Sequence, residues 1–401
     1  MPTWLALLTF GGIFDLTPPE RPGLPANEEI GGPPVLQWSR RLPGPKVTAA
    51  THTELVRPAV DGESIFVGSA GDSSLLRLLR STGEVLVEYP ARAPLLAEPV
   101  AADGRVWFVD GAGYTFCYAV EGGEPIWSHF GGAPITARPT LTSNTAYVAN
   151  VDGVVFALDA STGEVRWRYQ RPTDASRQSD LTLFGAPSPV VVEDELLVGF
   201  SDGAVLALDI TTGRPIWEAR VGEGRYPDII GTPRAAGDDL YVGGYSEPFV
   251  ALDLRNRTPR WRIDAGTAAE PLVEDELLYH PSTDGKLRAV RRDTGEVLWT
   301  FETGDSGALS SPQATAIGVL VSSSDEGIYL VDRETGALIW RYDPGYQLNG
   351  VTAGLTVVGR QILALTNAGT LLSFVAPAPP PTVLETTADR AWDGPTLFRS
   401  R

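Results

Sequence analysis

The chain has one cysteine, one methionine, two lysines and three histidines in 401 residues. A single cysteine cannot make an intramolecular disulfide, so this is no disulfide scaffold, and C-x-x-C redox and zinc motifs are excluded. His52, His129 and His280 are far apart and have no metal-ligand spacing. Positive charge is also scarce: 32 Lys and Arg stand against 50 Asp and Glu, a net charge of −18. That balance disfavours nucleic acid and anionic lipid as primary partners. No apolar run is long enough for a membrane span; the best, from Trp4 to Phe14, is too short. No G-x-S-x-G or phosphate-loop glycine pattern occurs, and nothing assembles a nucleophile, a base and an orienting group. The residues therefore predict a binding platform with no catalytic residue, no metal site and no cofactor.

What the chain does have is a repeat. Ala157 to Trp167 reads A-L-D-A-S-T-G-E-V-R-W, and it returns with variations at 77–87, 117–127, 207–217, 251–261, 289–299 and 330–340. Asp159 can accept backbone N–H groups of its own turn, and Gly163 can take positive φ without steric cost. Glycine holds the turn at 83, 123, 163, 213, 295 and 336, and Arg257 replaces it once. Tryptophan fills the anchor position at Trp127, Trp167, Trp217, Trp261, Trp299 and Trp340, and Val87 replaces it in the first copy. Cys117 stands where the repeat has a small alanine, so it is expected to be a buried packing residue.

Proline recurs in phase, at 58, 99, 139, 189, 233, 271 and 312. The distance from proline to anchor is 28 residues in six repeats and 29 in the first. Length varies only between an anchor and the next proline, with long connections at 39–57, 168–188 and 218–232. One such hairpin has no core, so neighbouring repeats must bury their faces on one another. A period of this length with several short strands predicts an all-β propeller of four-stranded antiparallel blades. In the third repeat the strands are expected near 134–141, 145–150, 153–159 and 164–170. The acidic runs 193–195 and 274–276 fall at one hairpin of two repeats and read as solvated turns.

Three segments follow. Residues 1–34 hold an apolar stretch, read as a secretion-signal core with its basic start missing, and a Pro/Gly-rich linker. Residues 35–375 form the propeller. Residues 376–401 open on A-P-A-P-P-P and form a Pro-rich, disordered tail. Trp38 looks like an anchor strand without its hairpin, and 346–375 looks like a repeat without its anchor strand. Together they predict an eighth blade, closed by pairing of the Trp38 strand with 370–375. Such closure removes the open edges that a broken ring would leave.

The pattern A-x-D-x-x-x-G-x-x-x-W, complete at Ala157, Asp159, Gly163, Trp167 and at Ala207, Asp209, Gly213, Trp217, resembles the tryptophan-docking motif of the PQQ-like propellers. The resemblance covers roughly 35–375. Within that group the chain is most similar to the BamB family of outer-membrane protein assembly factors. The resemblance implies a non-enzymatic scaffold on the periplasmic side of the cell envelope. It implies a monomeric ring within a complex, meeting an envelope protein such as a BamA-like assembly protein. Leu181-Thr182-Leu183-Phe184 and Asp228-Ile229-Ile230 fall where that family presents its partner loops. Leu181, Leu183 and Asp228 match the family, whereas Phe184 and Ile230 stand where it has Arg and a second Asp. The lipid-attachment cysteine that the family carries near its start is missing. Quinoprotein dehydrogenases share the fold, but their alcohol-oxidising branch needs two adjacent cysteines, and no calcium set is visible. An envelope propeller that binds peptide or glycan is the other alternative. The two long neighbouring connections are therefore expected to lie side by side as one patch, with Leu181, Leu183, Phe184, Asp228 and Ile230 as its contact residues.

Overall fold

A computed structural model describes residues 32–43, 54–69, 71–172, 186–222, 224, 227–304, 307–345 and 350–378. Their 32 strands, β1 to β32 in chain order, form eight four-stranded antiparallel sheets. Seven blades run in sequence order from the inner to the outer strand. Blade 3 is representative: β10 (Thr140–Leu141), β11 (Thr145–Ala149), β12 (Val154–Asp159) and β13 (Val165–Gln170). The eighth blade has the order β1-β32-β31-β30, with β30 at Leu355–Val358 and β31 at Gln361–Leu365. In it β1 (Val35–Arg41) pairs antiparallel with β32 (Thr370–Val375), Trp38 standing opposite Ser373. The ring is thus closed by the two ends of the propeller, as the sequence predicts.

One expectation is corrected. The first strand of blade 3 begins at Thr140, so 134–139 is not strand. Pro139 has no N–H for a ladder, and the stretch before it instead lines the centre of the ring.

The core is itself a ring, because each interface between adjacent blades carries its own apolar cluster. Between blades 3 and 4, Trp167 packs with Tyr147, Val155, Leu196, Val198 and Leu206. Across the closing seam, Leu363, Leu365 and Leu371 of blade 8 meet Ile65, Val67 and Leu76 of blade 1, with Trp38 against them.

The repeat's two markers meet across these interfaces. Five anchor indoles lie on the turn glycine of the following blade: Trp127 on Gly163, Trp167 on Gly213, Trp261 on Gly295, Trp299 on Gly336 and, across the seam, Trp38 on Gly83. The indole N–H groups of Trp127, Trp167, Trp261 and Trp299 donate to the carbonyls of Ala160, Ile210, Arg292 and Arg333, one equivalent position in the following blade. The turns are built as their residues require. Asp159 accepts from the N–H groups of Ser161 and Thr162 and from Arg166. Arg166 first, and then the turn donors, hold its carboxyl well below the usual range.

The two irregular repeats are compensated differently. Val87 cannot donate, and the Tyr89 hydroxyl bonds Val120 O, the equivalent carbonyl of blade 2. Burial pushes the Tyr89 hydroxyl pKa up to about 12, so it stays a donor. Where Arg257 replaces glycine, its guanidinium lies 5.6 Å from the Trp217 ring centroid, and Trp217 Nε1 donates to Glu195 of its own blade.

Candidate functional site: the connection face and the channel mouth

In a blade of this order, the outer strand ends on the same face as the turn between the second and third strands. That face is held together by one recurring bond, from an N–H in the turn to a carbonyl of the arriving connection. It is seen as Gly111 to Pro94, Val151 to Pro134, Tyr245 to Asp228, Thr283 to Gly266, Ser324 to Ala308 and Asn367 to Gly350. The long connections therefore emerge on one face, around the mouth of the central channel.

The residue before each blade-opening proline lines that mouth. Blades 1 to 3 contribute Arg57, Glu98 and Arg138; blades 4 and 5 contribute Ser188 and Thr232. Blades 6 and 7 contribute Glu270 and Ser311, and Ala353 takes the place in blade 8. They surround a cavity of about 310 Å³. Arg57 is buried, 5% exposed. Its Nε donates to Thr356 Oγ1 at 3.3 Å and its Nη2 to Gln313 Oε1 at 3.0 Å, which ties blade 1 to blades 8 and 7. Glu270 accepts from Arg234 at 3.3 Å, and its backbone N–H donates to Ser311 Oγ. Sequence reading missed this ring. The proline marker pointed to it, but R, E, R, S, T, E, S, A shows no pattern until the ring brings the positions together.

The expected contact residues divide. Leu181, Leu183 and Phe184 lie outside the described residues. Asp228 is buried, 2% exposed, beneath the turn at Gly244 and Tyr245. Ile229 beside it is fully buried against Gly199. Ile230 is half-buried and lines the channel mouth. Asp228 is thus placed inside the root of its connection, not on its surface. The ends of the two long connections do touch, for Ser188 N–H donates to Thr232 Oγ1 at 3.3 Å. Pro187 and Ile229 also converge on Gly199.

Other titratable groups are placed in packing roles. Cys117 is buried, and burial pushes its thiol up to about 12. His280 is fully buried and stacks on Phe249 with ring centroids 4.2 Å apart. Burial, helped by Arg288, lowers its pKa to about 3. His129 is lowered by burial as well, and His52 lies outside the described residues. The acidic runs sit at the first hairpins of blades 4 and 6, where Glu193 and Asp275 take positive φ as turn residues. Among the described residues no group of three or more His, Cys, Asp and Glu is arranged to hold a metal ion. Nor is any helix among them long and apolar enough to cross a membrane.

Comparison with known proteins places the chain. The sequence profile described as outer membrane protein assembly factor BamB matches residues 35–129, 96–301 and 275–379. Outer membrane protein assembly factor BamB of Yersinia pestis is 24% identical over 339 residues, covering 80% of this chain and 84% of that protein. The Bordetella pertussis protein of the same name is 26% identical over 280 residues, 65% of this chain and 69% of its own length. Among solved structures, BamB from Moraxella catarrhalis superposes with a TM-score of 0.72 at 20% identity, over 85% of this chain and 99% of that one. Quinohemoprotein alcohol dehydrogenase from Comamonas testosteroni shares the fold with a TM-score of 0.64 at 15% identity, over 87% of this chain and 77% of that one. The matched profile spans nearly the whole propeller, and the chain belongs to the family of outer membrane protein assembly factor BamB.

Proposed function

We propose that this protein is a non-enzymatic scaffold at the periplasmic side of the outer membrane. In this reading it supports assembly of outer-membrane β-barrel proteins, its relatives being named outer membrane protein assembly factors. It docks, as a single ring within a complex, on an envelope protein of the BamA-like kind. The observation that carries the docking reading is the contact between the ends of the connections 168–188 and 218–232 beside the channel mouth. Function is commonly carried by loops fixed on a rigid frame, and here the frame is a ring whose blocks barely vary in length. Apolar contact is the main attraction, through Leu181, Leu183, Phe184 and Ile230. Asp228 acts from below by holding its connection in place, consistent with its burial.

The test is a paired substitution, Leu181→Asp with Leu183→Asp, in the full chain. Recovery of the partner from envelope extract should fall while the circular dichroism spectrum and melting curve stay those of the parent. Undiminished recovery by a folded variant would remove the patch from the interface. Turnover of alcohols or sugars after addition of pyrroloquinoline quinone and calcium would overturn the scaffold reading itself.

A further inference from the structure

Blade 8 differs from its neighbours in charge. Its described residues, 32–43 and 350–378, include Arg40, Arg41 and Arg360 and no aspartate or glutamate. The chain as a whole has 50 Asp and Glu against 32 Lys and Arg, and each of the other seven blades carries several carboxylates. We propose that the outer wall of blade 8 is a second docking surface. Its partner is an acidic, extended segment of another protein, laid along β1.

Three observations carry this. The first is the edge itself. β1 is the outermost strand of its sheet, so its outer backbone edge is unpaired among the described residues. At seven residues it is the longest outer strand of the ring, and it is exposed at every position except Trp38. An extended segment adds to such an edge through main-chain bonds, and the side chains decide which segment is accepted.

The second is unpaired positive charge. Arg40 and Arg41 stand opposite Leu371 and Thr370 near the end of β1. Successive side chains of a strand point to opposite faces, so one guanidinium flanks each side of the edge. No hydrogen bond or ion pair holds either guanidinium among the described residues. Outer-strand arginines of other blades meet carboxylates of their own blade: Arg166 with Asp159, Arg260 with Asp239 and Arg341 with Glu326. Blade 8 has no carboxylate to do this. Charges are screened beyond about 8 Å at physiological salt, so a segment on β1 responds to these arginines more than to the net charge of −18. Cations on an edge turn away apolar and basic strands, and an acidic strand reverses that penalty.

The third is the other end of the strand. Val35 is 69% and Leu36 42% exposed, and Val35 is the most exposed large hydrophobic among the described residues. A segment with carboxylates at one end and apolar side chains at the other matches both ends of β1. In antiparallel pairing its carboxylates come first. A second copy of β1, V-L-Q-W-S-R-R, has no carboxylate to offer.

In an eight-bladed ring blade 8 faces blade 4, which both long connections flank. The two surfaces therefore lie on opposite sides of the ring, which can hold two partners at once. The proposal does not depend on the docking reading of those connections.

Its test is fluorescence anisotropy of the labelled peptide acetyl-Glu-Thr-Glu-Thr-Val-Thr-Val-amide with the purified full chain. The peptide should bind saturably, and added salt should weaken it. The same peptide with lysine in place of glutamate should bind about tenfold more weakly. Arg40→Glu with Arg41→Glu should weaken the acidic peptide about tenfold. Arg214→Glu with Arg262→Glu changes the net charge equally at exposed positions of blades 4 and 5, and should leave binding unchanged. Failure to saturate at millimolar concentration, or equal weakening by the two paired variants, would overturn the proposal. Capture of the chain by phosphatidylglycerol vesicles without peptide binding would assign the arginines to lipid and overturn it as well. Should the Arg40 and Arg41 variant not fold, equal affinity of the parent for the acidic and basic peptides still decides against it.

Discussion

The contact between an anchor indole and the glycine of the next blade can be isolated at Trp167 and Gly213. Gly213 has a φ of 69°, and a methyl group added there would sit 2.5 Å from Cε3 of Trp167. Gly213→Ala therefore carries two penalties. A left-handed alanine costs about 1 kcal/mol. Overpacking against the indole costs about 1–3 kcal/mol more. Gly104 supplies the reference, since its φ is 71° and an added methyl meets nothing within 4 Å. Gly104→Ala should thus cost only the conformational part, about 1 kcal/mol. Trp167→Ala alone removes a side chain that is 8% exposed and its 2.9 Å bond to Ile210 O. It should cost about 3–5 kcal/mol. In that background the methyl at 213 enters vacated space, and Gly213→Ala should fall to the Gly104 value. The cycle therefore predicts a coupling of about 1–3 kcal/mol between the two positions. Urea unfolding of the four proteins, followed by circular dichroism and compared at constant slope, measures it. A coupling under about 0.5 kcal/mol, within ordinary additivity, would show that the indole does not press on the glycine.

Tyr89→Phe should cost about 1 kcal/mol, because it removes one of the two donors to Val120 O, the other being Arg77 Nη1 at 3.1 Å, where the first repeat has no indole to donate. An unchanged melting midpoint would show that Tyr89 does not stand in for the missing tryptophan. His280 gives a pH dependence. It stays neutral in the folded protein down to about pH 3, whereas the unfolded chain protonates it near 6.5. Its contribution to stability is therefore complete above about pH 6.5 and is lost progressively as pH falls toward 3. Between pH 6.5 and 5, above the carboxylate range, His280→Phe should flatten the fall in stability by up to about 1.4 kcal/mol per pH unit. His129, lowered in the same direction, accounts for slope that remains. Parallel profiles for parent and variant would show that His280 is not buried in neutral form.

What could be read from the chain, and what could not, follows from where each interaction closes. Turn chemistry is local: Asp159 bonds residues two and three ahead, so its role is visible in eleven letters. Blade number and closure were also legible, because Trp38 and the unfinished last repeat are two halves of one pattern and β1 pairs with β32 as that pattern requires. The glycine was read for its turn alone, yet a second constraint acts on it, since Gly213 must also admit Trp167 from the preceding blade. Within one repeat the two residues look like partners four apart; in the ring each belongs to a different neighbour. The same displacement hid Tyr89, whose hydroxyl acts on Val120, 31 residues later, and made Val87 look like a weak repeat. It also misplaced Asp228, because an acidic residue in a long connection resembles a surface group until the turn at Gly244 is packed over it. The channel ring is the extreme case. Its residues come one from each blade and make sense only around the axis, where Arg57 reaches Gln313, 256 residues away in the chain. A repeat thus discloses what each unit does for itself and for its successor, whereas a site on the symmetry axis is written once around the whole chain.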